Sequence, residues 1–479
     1  MPVRSRPGGT PGRGTAATTA AASCRAEPTS PGSCPAVGRQ RTSSCWSNDV
    51  SDRIARIVFI VSAAAIGLGA AFLWGWSARD TGAWPDDLVQ DGRTIARSLR
   101  HFGRIVPTNL LHPAAPRAAT TRVAIHAPGD VPRGWCVVLG WDAAADRYAA
   151  WLLDAAGDEH HRWAIDYRRL DEDGPNNGSD TPHGMLALPD GSLILNFDHA
   201  DLMARLDPCG EPMWIQHGVF HHSLDLADDG TVWTWQGFGT PYAHHHAMLR
   251  FDPATGEPLE TIDLVADVIR TDRTAELVFG VRADFPFRHF DRTPDEPNPH
   301  DLFHPNDVEV LDAGLADAFP DFRAGDLMIS LRTLDLVAVL DRQTHRLLWW
   351  RHGPWVRQHD PDFLPDGTIS IYNNNTGRGR SEIVRIDPRT GDLASDLHDG
   401  DVRFYSGAMG KHQILAAGQV LIVVPEEGRV VMTTPRGDRI WEFNNLVPDL
   451  DGVRAHVCHA IWLPPDHFTD LPACDDRPD

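Results

Sequence analysis

Three stretches of the chain share one pattern: a histidine, a short apolar run, then Asp-Gly seven and eight residues later. They read His183-GMLALP-Asp190-Gly191, His222-SLDLAD-Asp229-Gly230 and His359-DPDFLP-Asp366-Gly367. A period of this kind constrains the fold more than composition does, because each repeat is a unit that buries its apolar face only against its neighbours. After each Asp-Gly comes a second β-prone run, SLILNF, TVWTW or TISIY. A further pair of runs then follows around an apolar-Asp-Pro-x-x-Gly turn, as in AMLRFDPATGEPL and EIVRIDPRTGDL. Four strands per unit predict β-propeller blades.

Six blades are expected, over about 122–168, 183–216, 222–263, 304–352, 359–396 and 412–443. The fold class is therefore all-β, a six-bladed β-propeller preceded by a transmembrane helix. His304, His359 and His412 open the first strands of the last three blades. His459 opens a further strand, HAIWLP, with no blade of its own, and this strand is expected to complete the first blade and close the ring. The long interval between His222 and His304 leaves a loop over 264–303, whose Phe285, Phe287 and Phe290 could cover an aromatic substrate or pack into the core.

Ahead of the propeller, residues 1–53 are rich in Ser, Thr, Pro, Gly, Ala and Arg and read as a disordered tail, or as the product of a start codon set too early. Residues 57–76 carry no charge and have the length of a bilayer-spanning helix. The anchor is placed at 54–77. Arg53 and Arg56 before it and Trp74 and Trp76 at its far end put the N-terminus in the cytoplasm. The apolar run exceeds a signal-peptide core and no clear A-x-A site follows, so an uncleaved anchor is preferred over a cleaved signal peptide. The protein is then single-pass in the inner (cytoplasmic) membrane, with its C-terminal domain periplasmic or extracellular. Residues 78–121 form a juxtamembrane linker with a short amphipathic helix, 122–466 the propeller and 467–479 a C-terminal tail.

The chain carries 66 acidic against 44 basic residues, a formal charge of −22, and Lys411 is its only lysine. Nucleic-acid binding rests on a basic footprint, so this balance argues against it and favours a small-molecule substrate. Seven cysteines show no metal-ligand spacing; Cys458 and Cys474 could form a disulfide outside the cytosol.

First strands line the channel of a propeller, so His183, His222, His304, His359, His412 and His459 are expected to converge as a ring. Imidazole supplies a base, a nucleophile or a ligand near neutral pH; the alternative is that these rings only bond neighbouring blades. The run His244-His245-His246 reads as a solvated loop. The turn IYNNNTGRGR offers Asn374, Arg378 and Arg380, and a guanidinium there could clamp an oxyanion. Arg332, at the end of a second strand, is either a further clamp or one half of an inter-blade ion pair.

At these residues the chain resembles the bacterial aryl-sulfate sulfotransferases. The family's H-x-N followed by S-x-R is similar to His304-Pro305-Asn306 and Ser330-Leu331-Arg332, and its Q-H followed by D-N-G-x-G-R is similar to Gln358-His359 and Asn373 to Arg378. The resemblance implies a six-bladed propeller that moves a sulfuryl group between phenols without a nucleotide donor, a metal or another cofactor. It implies catalytic roles for His304, His359 and Arg378 and substrate contacts from Asn306, Asn374 and Arg332; the ring of first-strand histidines adds His412 as a catalytic candidate and His222, His183 and His459 as substrate contacts. The family's transient sulfo-histidine is expected in the sixth blade, where this chain has VPEEGRVV (424–431) and no histidine, so the nucleophile would be another ring member, with His412 the nearest by blade. The remaining alternatives are a His-ligated metalloenzyme and an exported propeller that binds a ligand or partner without catalysis.

Overall fold

The computed structural model describes residues 45–81, 110–115, 118–171, 181–198, 202–237, 246–280, 303–395 and 402–474. The N-terminal tail up to residue 44, the amphipathic linker helix, His244, His245, Phe285, Phe287 and Phe290 lie outside them. One unit is a helix, Cys45–Thr81, of which Ile54–Trp74 is apolar and long enough to cross a bilayer.

The other unit is a propeller of six antiparallel sheets. Blade 1 is closed as expected: the C-terminal strand Val457–Leu463 pairs with Trp135–Asp142, so the two ends of the propeller share one sheet. Blade 6 holds five strands, because Val123–Ile125 adds to its outer strand Arg439–Asn444. The expected first blade therefore starts at Trp135, and residues 123–125 belong to its neighbour. Leu111–Pro113, in the stretch read as linker, pairs with Val453–Ala455. The expected loop after residue 263 begins with two short helices, Leu264–Ile269 and Arg273–Val278.

The Asp-Gly repeat has a local cause. In each case the glycine takes a left-handed conformation, with φ of 81°, 79° and 82° at Gly191, Gly230 and Gly367, where a side chain is disfavoured. The aspartate Oδ1 accepts the backbone N–H and the hydroxyl of the residue after the glycine: Ser192, Thr231 and Thr368. The other oxygen pairs with an arginine of the third strand, Arg205 at 2.5 Å, Arg250 at 3.2 Å and Arg385 at 3.0 Å. Each of these three blades thus fastens its second hairpin to its first. Between blades the cores are apolar, with Trp163, Trp235 and Trp441 almost wholly buried.

A β-bulge interrupts the inner strand of five blades at the position of the repeat histidine or beside it: between Pro182 and Met185, His221 and Leu224, Pro305 and Asp307, His359 and Pro361, and Val457 and His459. A bulge rotates the side chains that follow it and re-aims them. The inner strand of blade 6, Lys411–Ile414, pairs in regular register. At blade 2 the bulge needs Gly184: a Cβ there would collide with the His222 carbonyl oxygen and come within 2.9 Å of the Asn196 amide nitrogen. Gly184→Ala should therefore destabilise the propeller by about 2 kcal/mol through overpacking, read as a lower denaturation midpoint with an unchanged denaturant slope.

Candidate active site

The bulges gather imidazoles at one mouth of the channel. The rings of His183 and His222 are 4.3 Å apart between centroids, and those of His222 and His304 are 5.1 Å apart. His222 and His304 hold left-handed backbone conformations, with φ of 64° and 44°, which non-glycine residues adopt at a cost and which cluster at functional sites. Arg332 turns back from the end of its strand so that its Nη1 lies 3.2 Å from His304 Nδ1 and 2.9 Å from Nε2. Arginine only donates, so His304 meets it as a neutral ring offering a lone pair.

His359 is the most tightly specified of the group. Its Nδ1 lies 2.7 Å from Asn374 Oδ1 and 3.2 Å from the Arg357 carbonyl oxygen. The Asn374 amide cannot be reversed, because its Nδ2 donates to the carbonyls of Ser406 at 2.9 Å and Met409 at 2.6 Å. Nδ1 therefore carries the proton, and Nε2 keeps a lone pair. Burial, and then the charge of Arg332, hold the imidazole well below its ordinary pKa. Burial and the neighbouring rings of His183, His221 and His304 do the same for His222. The result is a set of rings kept neutral beside a fixed positive charge.

Asn306 is buried with its Nδ2 donating to the Gln358 carbonyl at 2.6 Å, while its Oδ1 is sealed from solvent without a partner. Asn374, read from sequence as a substrate contact, spends its donors on two carbonyls and its acceptor on His359. Arg378 lies on the turn toward the third strand of its blade; its side chain is exposed and donates to Asn375 Oδ1 at 3.2 Å. The guanidinium beside the histidines is Arg332.

Two expected ring members stand elsewhere. His412, on the unbulged strand, has a fully buried side chain held at both nitrogens, Nδ1 at 3.0 Å from Asp360 Oδ2 and Nε2 at 2.8 Å from Ser370 Oγ. His459 stands beside Lys411 and Asp360, and burial, then the Lys411 charge, lowers its pKa to about 3. Blade 1 instead contributes His456, whose Nδ1 is 3.0 Å from His112 Nε2. The closing strand bulges at Cys458, between Val457 and His459, and His456 stands three residues ahead of the position the repeat marks. His221 also escapes a reading by period; its Nδ1 meets His222 Nδ1 at 2.8 Å. His246, from the run read as a solvated loop, is fully buried in a strand and packs against His221.

Deeper in the channel the chemistry changes to carboxylates: Asp225, Asp307, Glu309, Asp360 and Asp362. Lys411 Nζ sits 2.7 Å from Asp360 and 3.4 Å from Asp307. Burial pushes Asp307 up to about 6 against the pull of that lysine. It would raise Asp360 too, but Lys411 and His412 together draw that carboxyl below the ordinary range. The disulfide joins Cys209 to Cys474, tying the C-terminal segment to the outer hairpin of blade 2, and Cys458, the expected partner, is a buried thiol.

The family model described as arylsulfotransferase (ASST) matches residues 184–446. No curated protein matches the chain. Solved structures with a similar course include a protein of unknown function from Bacteroides caccae, 10% identical with a TM-score of 0.42, covering 69% of this chain and 99% of that one. Hydrazine synthase from Kuenenia stuttgartiensis is 14% identical with a TM-score of 0.36, covering 67% of this chain and 80% of that one. Virginiamycin B lyase from Staphylococcus aureus, a catalytically inactive variant with quinupristin, is 12% identical with a TM-score of 0.32, covering 56% of this chain and 71% of that one.

The neutral rings carry a pH signature. Burial lowers His112 to about 4, and burial followed by His112 lowers His456 to about 3, whereas both titrate near 6.5 when unfolded. The unfolded chain then binds more protons below pH 6.5, so stability is intact above that value and falls as the pH drops toward 4. His456→Gln should flatten this loss by about 2 kcal/mol between pH 6.5 and 4.5, at 1.36 kcal/mol per unit, as measured by urea unfolding at the two pH values.

Proposed function

Because the chain belongs to the arylsulfotransferase (ASST) family, a match over residues 184–446, we propose that the histidine mouth transfers a sulfuryl group from an aryl sulfate to a phenol, with His359 Nε2 as the nucleophile. The observation that carries this reading is the Asn374 clamp, which leaves Nε2 unprotonated next to the Arg332 charge. In the first step the Nε2 lone pair attacks sulfur, an N–S bond forms, the S–O bond to the donor breaks, and its electron pair leaves on the phenolate. In the second step the acceptor oxygen attacks the same sulfur and the N–S bond breaks. The acceptor's proton passes to the departed phenolate, so the exchange is neutral in protons. His222 and His304, neutral and adjacent, are suited to carrying it. Arg332 stabilises the sulfuryl oxygens as charge moves to the leaving group. His412 is a poorer nucleophile on geometry, since both nitrogens are engaged and the ring is sealed.

The apolar helix fits a single-pass anchor with the N-terminus in the cytoplasm. The Cys209–Cys474 disulfide fits an oxidising compartment for the propeller, periplasmic or extracellular. No nucleotide is needed when the donor is itself an activated aryl sulfate.

The assay is release of p-nitrophenolate from p-nitrophenyl sulfate with phenol as acceptor. His359→Ala should lower kcat by roughly 1,000-fold or more, and Arg332→Ala by about 100-fold, the scale for losing one charge-stabilising donor. Asn374→Ala should lower kcat with little change in KM and move the pH–rate profile, because the tautomer is no longer fixed. His412→Asn retaining no activity while His359→Ala stays active would reverse the assignment.

A further inference from the structure

We propose that Gln358 is a positioning residue of the sulfuryl-transfer site, a role that rests on reading His359 as the nucleophile and Arg332 as the charge that serves it. Its side-chain amide grips the turn that carries Arg332 and sets that guanidinium against His359.

Gln358 directly precedes His359 and is fully buried. Its Nε2 lies 2.9 Å from the Leu336 carbonyl oxygen, 3.0 Å from Ser330 Oγ and 3.4 Å from the Leu331 carbonyl oxygen. Carbonyl oxygens only accept, so the amide has one orientation, with its N–H groups toward blade 4. Leu331 and Leu336 face each other across a hairpin, and the tight turn Arg332–Leu334 lies between them. The amide therefore holds both ends of the turn from which Arg332 reaches back to His304. Its own Oε1 is sealed from solvent with no hydrogen-bond partner. An orphaned acceptor of this kind costs stability, so what the amide contributes is its donor.

The same turn is fastened to the approach to His359. Asp335 Oδ1 accepts the Arg357 backbone N–H at 2.6 Å, and the Asp335 carbonyl oxygen accepts from Trp355 Nε1 at 2.8 Å. Asp335 and Arg357 hold left-handed conformations, with φ of 50° and 53°. Such strain persists only where the surroundings over-determine the backbone. On the other side, the Gln358 carbonyl oxygen accepts from Asn306 at 2.6 Å, and the Arg332 backbone N–H donates to the His304 carbonyl oxygen at 3.0 Å. His304 and Arg332 come from blade 4 and His359 from blade 5, and Gln358 crosses that seam with bonds to both the inner strand and the turn of blade 4. Apolar packing between blades is non-directional, whereas these bonds fix distance and direction. A displacement of about 1 Å at a reacting pair costs on the order of a hundredfold in rate.

The test compares Gln358→Met, which keeps the length and removes the donor, with Gln358→Asn, which keeps the amide and shortens its reach. Each is made in the full chain in detergent and checked for folding by circular dichroism, and either decides alone if the other fails to fold. With p-nitrophenyl sulfate and phenol, both should lower kcat by about 10- to 100-fold with KM changed by less than about twofold. In an Arg332→Ala background, either change should cost less than about a further twofold, because the group it positions is gone. A second readout needs no turnover. Burial, and then the Arg332 charge, weaken the hold of His359 on a proton, so nitrogen NMR of the His359 ring senses where that charge lies. Both Gln358 variants should displace the Nε2 resonance in the same direction as Arg332→Ala does. That displacement, in a protein whose parent form transfers no sulfuryl group, would sink the proposed function and leave the positioning role standing. An unmoved resonance, or a kcat loss that multiplies in full with that of Arg332→Ala, would mark a residue that only stabilises the fold and would overturn the proposal.

Discussion

The pairing of Val457–Leu463 with Trp135–Asp142 is the contact on which the arrangement depends. A propeller left open would expose an edge strand and let the first and last blades drift, and the channel would lose its closed wall. Closing the ring with backbone hydrogen bonds brings together histidines that are far apart in sequence. His183 and His304 each contact His222, across intervals no local structure could span. The Cys209–Cys474 bond then fastens the segment just beyond the closing strand to blade 2, so the seam is held both by a ladder and by a covalent link.

Along the axis the chain separates two kinds of chemistry. At the mouth, burial and one arginine keep several imidazoles neutral; deeper in, carboxylates gather around a single ammonium. The two layers adjoin at His359-Asp360, where consecutive residues serve different layers because a bulge turns the chain between them, with Asp360 at φ 50°. One backbone irregularity thus lets a two-residue segment supply a clamped imidazole to the mouth and a charged anchor to the layer below. The same device recurs in four other blades. Its absence in blade 6 accounts for His412 facing Asp360 and Ser370 rather than the mouth.

Much of this was legible in the sequence. Asp-Gly at a fixed distance from a histidine encodes a hairpin, and repetition of the hairpin encodes the ring, since a turn and a period are local properties. His183, His222 and His359 followed from that period, and His304 from its place at the opening of a first strand. What stayed hidden depends on register and on contacts between distant residues. A bulge adds one residue to one strand and leaves no composition signal, and the period points to His459 where the fold uses His456. Arg378 stands in a conspicuous Gly-Arg turn, whereas Arg332 reaches His304 only because its strand ends in a tight turn. Asn374 reads as a substrate contact, and its two carbonyl partners, Ser406 and Met409, come from a loop that no motif marks. Cysteine pairing needed the third dimension as well: Cys458 is nearer to Cys474 in sequence, but it points into the core.

The position of Lys411 has a practical side. In a chain with 44 basic residues, the sole lysine is enclosed by the propeller with a side chain only 12% exposed. Arginine carries charge everywhere else, so the folded surface presents guanidinium groups and no ε-amine. A reagent that acylates lysine has nothing to modify in that domain until the channel opens. Its uptake at Lys411 then reports, at one known residue, the moment when the ring of blades comes apart.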